Sequence, residues 1–321
     1  MMEWLLIQTL ILFVALLLDM FLGEPPSMLH PVVWIGKLVA RSESHLIVGS
    51  RTSQRLRGIF IPLTIIAFFT LSTFLFQWLG FRFASGHVVA LIVYVIVSAY
   101  VLKASFTIFT LQKEALKVAT LTVSDIDSAR FNLRALVSRD RAHLDRAGIL
   151  SSICESVGEN AVDSIVAPLL FFAVFGITGA VCYRTVNTLD SMLGYRDHRE
   201  HVGLFSARLD DCFNYIPTRV AVIPMLLSFY FISGKVALQR AWRTLKRDRQ
   251  KKRAVNSGIP LALYAGGLGV RLEKPSTYQI GDPCRPITLS TVNDAVRATR
   301  CTAAITVAIV VLLLFIKSAV W

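Results

Sequence analysis

Residues 164–182 read SIVAPLLFFAVFGITGAVC, a run without a single charge. A transmembrane helix needs about 20 predominantly apolar residues, so this stretch is long enough to cross a bilayer. Pro168, Gly176 and Gly179 argue against a straight crossing. Proline and glycine interrupt a helix, and the freed backbone groups are tolerated at membrane depth only where protein covers them. The stretch is therefore expected to be re-entrant or broken, returning the chain to the side it came from, with a plain span as the alternative. The following residues, 183–215, bear on the choice. They include Arg184, Asp190, Arg196, Arg199, Arg208, Asp210 and Asp211, which strict alternation of spans would place outside the cell.

Working outward, comparable apolar runs cover Trp4–Leu22 with Asp19 near its end, Ile59–Leu79, Val88–Leu111 interrupted by Lys103, and Thr302–Val320. Val220–Ile232 is shorter and contains Pro224. The 321 residues are 54% apolar and 17% charged, with mean hydropathy +0.58. Soluble chains run about 45–50% apolar and about 25% charged. This composition excludes disordered, collagenous and disulfide-rich secreted classes. It predicts an all-α, polytopic integral membrane protein with five or six membrane-embedded helices, cytoplasmic helical loops and a single domain over 1–321. The first run lacks the basic start and small-residue cleavage site of a signal peptide. The net charge of +13 needs no nucleic acid partner. Lys and Arg gather in 23–58, 112–163 and 233–301, which the positive-inside rule places in the cytoplasm. Cys154, Cys182, Cys212, Cys284 and Cys301 show no CxxC spacing and read as reduced thiols.

Between the runs, 112–163 reads as helical, with Phe131, Ala135 and Leu136 on one stripe. Gly148 ends one helix, and Ser152–Glu155 forms a capping box that starts the next. Residues 235–253 form a basic amphipathic helix with Leu238, Ala241, Trp242 and Leu245 on one face, suited to a lipid surface or to the protein itself. Residues 256–281 read as a loop around a short helix.

Three stretches are more polar than packing requires. In the first, Glu155, Glu159 and Asp163 fall at i, i+4 and i+8 on one side of a helix. Carboxylates so stacked repel unless a cation joins them, and such oxygen donors suit Mg²⁺ carrying a phosphate. Glu155 serves equally well as a cap. In the second, Arg184, Asn187 and Asp190 lie together at spacing three, fit for metal and phosphate or for an internal ion pair. The third places Arg208, Asp210 and Asp211 just before an apolar run, where ionisable groups are costly unless paired or functional. His30, after the Gly23–Pro26 turn, suits a structural role better than a catalytic one. Gly266, Gly267 and Gly269, with Arg271 and Asn256, either present backbone N–H groups to phosphate or mark close backbone packing. From residues alone, the chain reads as a membrane enzyme acting with a divalent cation on a phosphate-bearing substrate.

These stretches resemble the adenosylcobinamide-phosphate synthase family of cobalamin biosynthesis. The motifs that carry the resemblance are Leu22–Pro25, His30–Val33, Leu136–Asp140, Glu155–Pro168, Tyr183–Tyr195, Ser206–Asp211 and Ala265–Val270. The resemblance implies an inner-membrane ligase with its active face in the cytoplasm. It would join a carboxylate of adenosylcobyric acid to the amine of aminopropanol phosphate, or of threonine phosphate, at the expense of ATP and with Mg²⁺. Membrane lipid and other membrane enzymes of the corrinoid pathway would be its partners. By the same resemblance Glu159, Asn160, Asp163, Arg184, Asn187 and Arg208 belong to the catalytic motifs. Asp190, Asp210 and Asp211 hold Mg²⁺–ATP, while Arg184 and Arg208 meet phosphate. Gly266, Gly267, Gly269, Arg271 and Asn256 take the cofactor-binding role. The sequence departs from the family pattern at 252–256, which keeps only Asn256 of a His-x-x-Pro-Asn stretch. It also departs near Leu261, where a Glu is usual, at Glu24 in place of Asp, and at Ser164 in place of Gly. The lost His and Glu bear on amine specificity. The rival readings are a Mg²⁺-dependent membrane prenyltransferase, whose aspartate motifs are denser, and a non-catalytic membrane regulator of related architecture, which would have lost the acidic clusters.

Overall fold

The structure, a computed structural model, describes residues 2–84, 86–137, 141–195, 199–252, 254–274 and 277–320. Asp140, Arg196 and Arg253, which the sequence reading touches, lie outside the described residues. The helices are α1 (Met2–Phe21), α2 (Pro31–Leu46), α3 (Arg51–Ala84), α4 (Val88–Lys103), α5 (Phe109–Ser124), α6 (Ile126–Asn132), α7 (Arg146–Ala161), α8 (Ala167–Leu193), α9 (Glu200–Asp248), α10 (Gly258–Leu268) and α11 (Leu289–Val320). A 3-10 turn covers Leu133–Ala135 and a π-helical turn Val162–Val166. Strands β1 (Leu272–Lys274) and β2 (Tyr278–Ile280) complete the elements.

The all-α polytopic architecture holds. Among the described residues five helical stretches are long and apolar enough to cross a membrane: Glu3–Phe21, Arg51–Ala84, Arg146–Leu193, Glu200–Asp248 and Leu289–Ala319. Leu6, Phe13, Phe60, Phe68, Leu71 and Trp78 are exposed, far more contiguous apolar surface than a water-facing helix carries. The expected run Val88–Leu111 is shorter than read, because α4 stops at Lys103. The chain forms two compact units, Met1–Thr107 with Ala167–Asn214 and Ala308–Trp321, and Ile108–Val166 with Tyr215–Val307.

In the first unit α1 packs on α4, α3 on α4 and α8, and α2 on α3 and α8. α8 is not a straight rod. Gly176 takes φ 67° and ψ −159°, a left-handed conformation open mainly to glycine. Beyond it the chain doubles back. A Cβ on Gly179 would lie 2.4 Å from the Phe171 carbonyl oxygen, whereas a continuous helix would separate these residues by about 12 Å. The Phe171 and Tyr183 rings likewise approach to 5.2 Å. Gln77 of α3 closes the break, its Oε1 accepting from the Thr178 backbone N–H at 3.3 Å and from its hydroxyl at 3.4 Å. The segment is thus the broken, returning helix that Pro168, Gly176 and Gly179 suggested. The second arm sends Leu189 and Leu193 into a core with Ile35, Val39, Ile65 and Val202.

What ends α4 is an ion network. The buried Lys103 ammonium lies 3.0 Å from Asp19 and 2.9 Å from Glu24, and Glu24 lies 3.0 Å from His30 Nε2. His30 Nδ1 accepts the Val32 N–H, capping α2 ahead of Pro31. Burial pushes the Glu24 carboxyl up, but hydrogen bonds from His30 and Lys103 outweigh it and hold the group at about 2, below its ordinary 4.5. A carboxyl depressed on folding stabilises fully above its unfolded pKa, and the contribution fades as pH falls toward the folded one. Glu24→Gln should therefore lower the unfolding midpoint in detergent near neutrality and converge with the parent between about pH 4.5 and about 2. A gap that does not change with pH would contradict the assignment.

In the second unit α7 packs on α5 and α10, and the strands reach α7 and α10. α7 begins at Asp145, whose carboxylate accepts the Gly148 N–H at 2.8 Å. Gly148 therefore sits in the first turn of a helix rather than ending one. The expected capping box is absent: Ser152 lies mid-helix and donates to the Gly148 carbonyl at 2.6 Å. The stripe expected at Phe131, Ala135 and Leu136 is also displaced, since Ala129 and Leu133 are the buried residues and Phe131 is exposed. α9 breaks at Gly234, with φ 75°, and both of its arms reach α10. The Phe229 ring covers Gly267, and the backbone of Arg240 and Ala241 covers Gly266. The apolar face of the basic helix, at Ala237, Ala241 and Leu245, is buried, while Trp242 stays exposed beneath Lys246, 4.8 Å from its ring. Within the expected loop, β1 and β2 pair antiparallel, Leu272 with Ile280 and Lys274 with Tyr278. Cys154, Cys182, Cys212, Cys284 and Cys301 are free thiols.

Candidate functional site

In the first unit the returning arm of α8 presents Tyr183, Arg184, Asn187 and Asp190 at helical spacing, and the start of α9 presents Arg208, Asp210, Asp211 and Asn214. Gly203 allows these helices to meet, because a Cβ there would sit 1.8 Å from the Leu193 carbonyl oxygen. Asp210 is the hub. Asn187 Nδ2 donates to its Oδ1 at 3.3 Å, and Asn214 Nδ2 to its Oδ2 at 3.0 Å. Each amide is oriented in turn: Tyr183 Oη donates to Asn214 Oδ1 at 2.8 Å, and Arg184 Nη1 to Asn187 Oδ1 at 3.3 Å. Asp190 is half-buried and feels the charges of Asp210 and Asp211, while the charge of Arg208 acts on Asp211. A Cβ on Gly194 would lie 2.1 Å from Asp190 Oδ1, so only glycine leaves this carboxylate where it stands. The structure thus brings together the second and third polar stretches, with Tyr183 and Asn214 as supporting residues that the sequence reading did not single out.

Among the described residues no three His, Cys, Asp or Glu side chains gather closely enough to cage a metal by themselves. The donors here are hard oxygens, of the kind that hold Mg²⁺ through one or two carboxylates when phosphate oxygens complete its shell. Two arginines stand among them, suited to the phosphate itself.

In the second unit α7 carries Glu155, Ser156, Glu159 and Asn160 to the wall of a cavity of about 300 Å³, closed by Lys252, Lys274 and Tyr278. Glu155 accepts from Tyr278 Oη at 2.7 Å and from Ser151 Oγ at 3.2 Å. Glu159 is ion-paired with Lys252. Asn160 Nδ2 donates to the Ser156 carbonyl at 2.9 Å, and its Oδ1 accepts from Ser164 Oγ at 2.8 Å. The predicted row of three carboxylates is realised for two. Asp163 falls in the π-helical turn, whose wider step rotates it off the row, and it does not line this cavity. Such turns recur at functional sites. The cation that relieves the stacked carboxylates is supplied by the chain itself, as Lys252.

The proposed cofactor-binding group does not assemble as a phosphate loop. Gly266 and Gly267 lie inside α10, and Gly269 is its left-handed C-cap, with φ 66°. The helix end offers their carbonyls rather than free N–H groups, and Arg240 caps them from Nε to Gly266 at 3.3 Å and from Nη2 to Gly267 at 3.4 Å. A helix C-terminus carries partial negative charge, which Arg240, Arg243 and Arg247 oppose around a cavity that Gly266 and Gly269 line. Glycine is required there for close packing, since a Cβ at Gly267 would fall 2.4 Å from the Phe229 ring. Arg271 pairs with Glu273 at 3.1 Å on the surface. Asn256 is buried and accepts from Arg219 at 3.0 Å.

Compared with known proteins, the chain matches the family model described as CobD/Cbib protein over residues 12–310. It is 41% identical to the cobalamin biosynthesis protein CobD of Dehalococcoides mccartyi (strain CBDB1), over 88% of this chain and 90% of that protein. It is 38% identical to the probable cobalamin biosynthesis protein CobD of Methanothermobacter thermautotrophicus, over 89% of this chain and 91% of that protein. The corresponding protein of Pelobacter propionicus is 37% identical, over 86% of each chain. No solved structure matches.

Proposed function

Since the chain belongs to the CobD/Cbib family, and so has its role in cobalamin biosynthesis, we propose that it is the ATP-dependent ligase that completes the corrinoid side chain. The reaction joins a carboxylate of adenosylcobyric acid to the amine of aminopropanol phosphate or threonine phosphate. A carboxylate does not acylate an amine at neutral pH. Transfer of the γ-phosphoryl group of ATP to the carboxylate gives an acyl phosphate and ADP. Attack by the free amine then forms the amide and releases phosphate and a proton.

The observation that carries this reading is the Asp190–Asp210–Asp211 group with Arg184 and Arg208. When bound, Mg²⁺ would offset the charge that develops on the transferring phosphoryl group. Asp210, fixed by two amide donors, is preorganised to hold such an ion with Asp190 close enough to feel its charge, and preorganised charge is the larger part of this kind of catalysis. Arg184 and Arg208 orient phosphate oxygens. The multi-pass architecture and the basic segments 112–163 and 233–301 support an inner-membrane location with the active face in the cytoplasm.

The test is amide formation by purified protein in detergent, given adenosylcobyric acid, Mg²⁺–ATP and either amine. The expected result is product with one amine and one ADP per amide. ATP-independent product, or none with either amine from a folded protein, would overturn the reading. For the face, a membrane-impermeant thiol reagent should reach the exposed Cys212, beside Asp211, from the cytoplasmic side only. Labelling from outside would reverse the orientation.

A further inference from the structure

The cavity on α7 is lined by two carboxylates, Glu155 and Glu159, and by two ammonium groups, Lys252 and Lys274. From this pairing we infer that it binds a small zwitterion with an ammonium at one end and a phosphate at the other, the amine substrate of the ligation. The inference rests on the ligase reading and assigns one of its substrates to a place.

A lining that carries both signs selects against simpler ligands. A bare cation would meet both lysines, and a bare polyphosphate would meet both glutamates. A neutral molecule would draw on neither sign. A zwitterion satisfies both sets at once.

Lys252 also joins this cavity to a more basic one. Lys252 lines this cavity and a second one, of about 250 Å³, together with Arg219 and Arg249. The carboxylates therefore lie on one side of Lys252 and a further pair of arginines on the other. The ammonium end belongs with Glu155 and Glu159, and the phosphate end with Lys252 and Lys274.

Lys252 already shows how an ammonium is held here. It is paired with Glu159 and stands 5.5 Å from the centre of the Tyr278 ring, within reach of a cation–π attraction. Tyr278 is itself pinned by Glu155 at 2.7 Å. The incoming ammonium takes the place of Lys252 on Glu159 and the ring, and the freed Lys252 turns to the phosphate. The hairpin register, pairing Lys274 with Tyr278 across the strands, sets the second lysine on the face that carries the ring.

The experiment is calorimetric binding to the full-length protein in detergent, without ATP or corrinoid. The probes are aminopropanol phosphate, aminopropanol and inorganic phosphate. Lys252→Met and Lys274→Met should each weaken aminopropanol phosphate and inorganic phosphate by about tenfold or more, and Lys252→Arg should restore most of the loss. Glu159→Gln should weaken aminopropanol phosphate by a similar factor and leave inorganic phosphate unchanged or tighter. Lys274 is exposed, so its variant folds even if substitution of Lys252 impairs folding. Unaltered binding in Lys274→Met and Glu159→Gln, or a Glu159→Gln loss that is equal for both phosphates, would overturn the assignment. A protein that forms the amide yet shows no such losses sinks this pocket alone. One that binds the zwitterion here and never forms amide sinks the ligase reading alone.

Discussion

Asp190→Asn and Asp210→Asn should each reduce amide formation by about a hundredfold or more, the scale seen when one preorganised electrostatic group is removed from a reacting phosphoryl or acyl centre. Both proteins should still insert, and Asp190→Asn should keep the parental unfolding midpoint. Asn preserves volume, so the core around Leu189 and Leu193 is undisturbed, and the loss falls on charge. The two variants differ in mechanism. Asp190 loses only its negative charge. Asp210 also exchanges one of two acceptor oxygens for a donor, and that donor must face Asn187 or Asn214, each of which now donates to it at 3.3 and 3.0 Å. Asp210→Asn should therefore also loosen Tyr183 and Arg184, which orient those amides. The measurement is initial rate at saturating amine and corrinoid across a Mg²⁺ series. Full activity in a well-expressed Asp190→Ala protein would remove Asp190 from the site.

The second large effect is on stability. Gly179→Ala should cost at least about 2 kcal/mol, toward the upper part of the range for forced overpacking. Its Cβ would lie 2.4 Å from the Phe171 carbonyl oxygen and 2.6 Å from Phe175 Cβ, both on the opposing arm, so the hairpin must open. Gly234→Ala is the control. Unlike Gly179, Gly234 has a positive φ, of 75°, but nothing lies within 4 Å of the new methyl, so only backbone strain of about 1–2 kcal/mol remains. Thermal unfolding in detergent separates the two. A Gly179→Ala midpoint equal to or above that of Gly234→Ala would show that the arms do not pack against each other as described.

Local pattern carried part of this structure, and contact across sequence carried the rest. The apolar runs were legible because a bilayer demands length and hydrophobicity from one continuous segment. The break in α8 was legible because Gly and Pro act on their own backbone. Arg184, Asn187 and Asp190 could be grouped because three-residue spacing is itself a contact on a helix. Lys252 on Glu159 and Tyr278 on Glu155 could not be found this way, since each pair joins residues far apart along the chain. The glycines at 266–269 had two readings that differ only in what lies beside them, and Phe229 and Arg240 decide it. Asp163 left its row because a single π-helical turn, silent in the residue pattern, rotated it away.

The hairpin of α8 has a consequence for how the protein is made. Its two arms leave the backbone N–H of Thr178 exposed at the break, and the side chain that answers it is Gln77, in α3. Emerging alone from the ribosome, 164–182 would meet the lipid with that group unanswered, and a continuous crossing would be the cheaper state. Synthesis proceeds from the N-terminus, and early segments fold first. By the time Gly176 leaves the ribosome, α3 is already threaded, and Gln77 waits at the depth where the chain must turn. A permuted chain in which α8 precedes α3 should lose that guide, and its 164–182 segment should cross the bilayer more often.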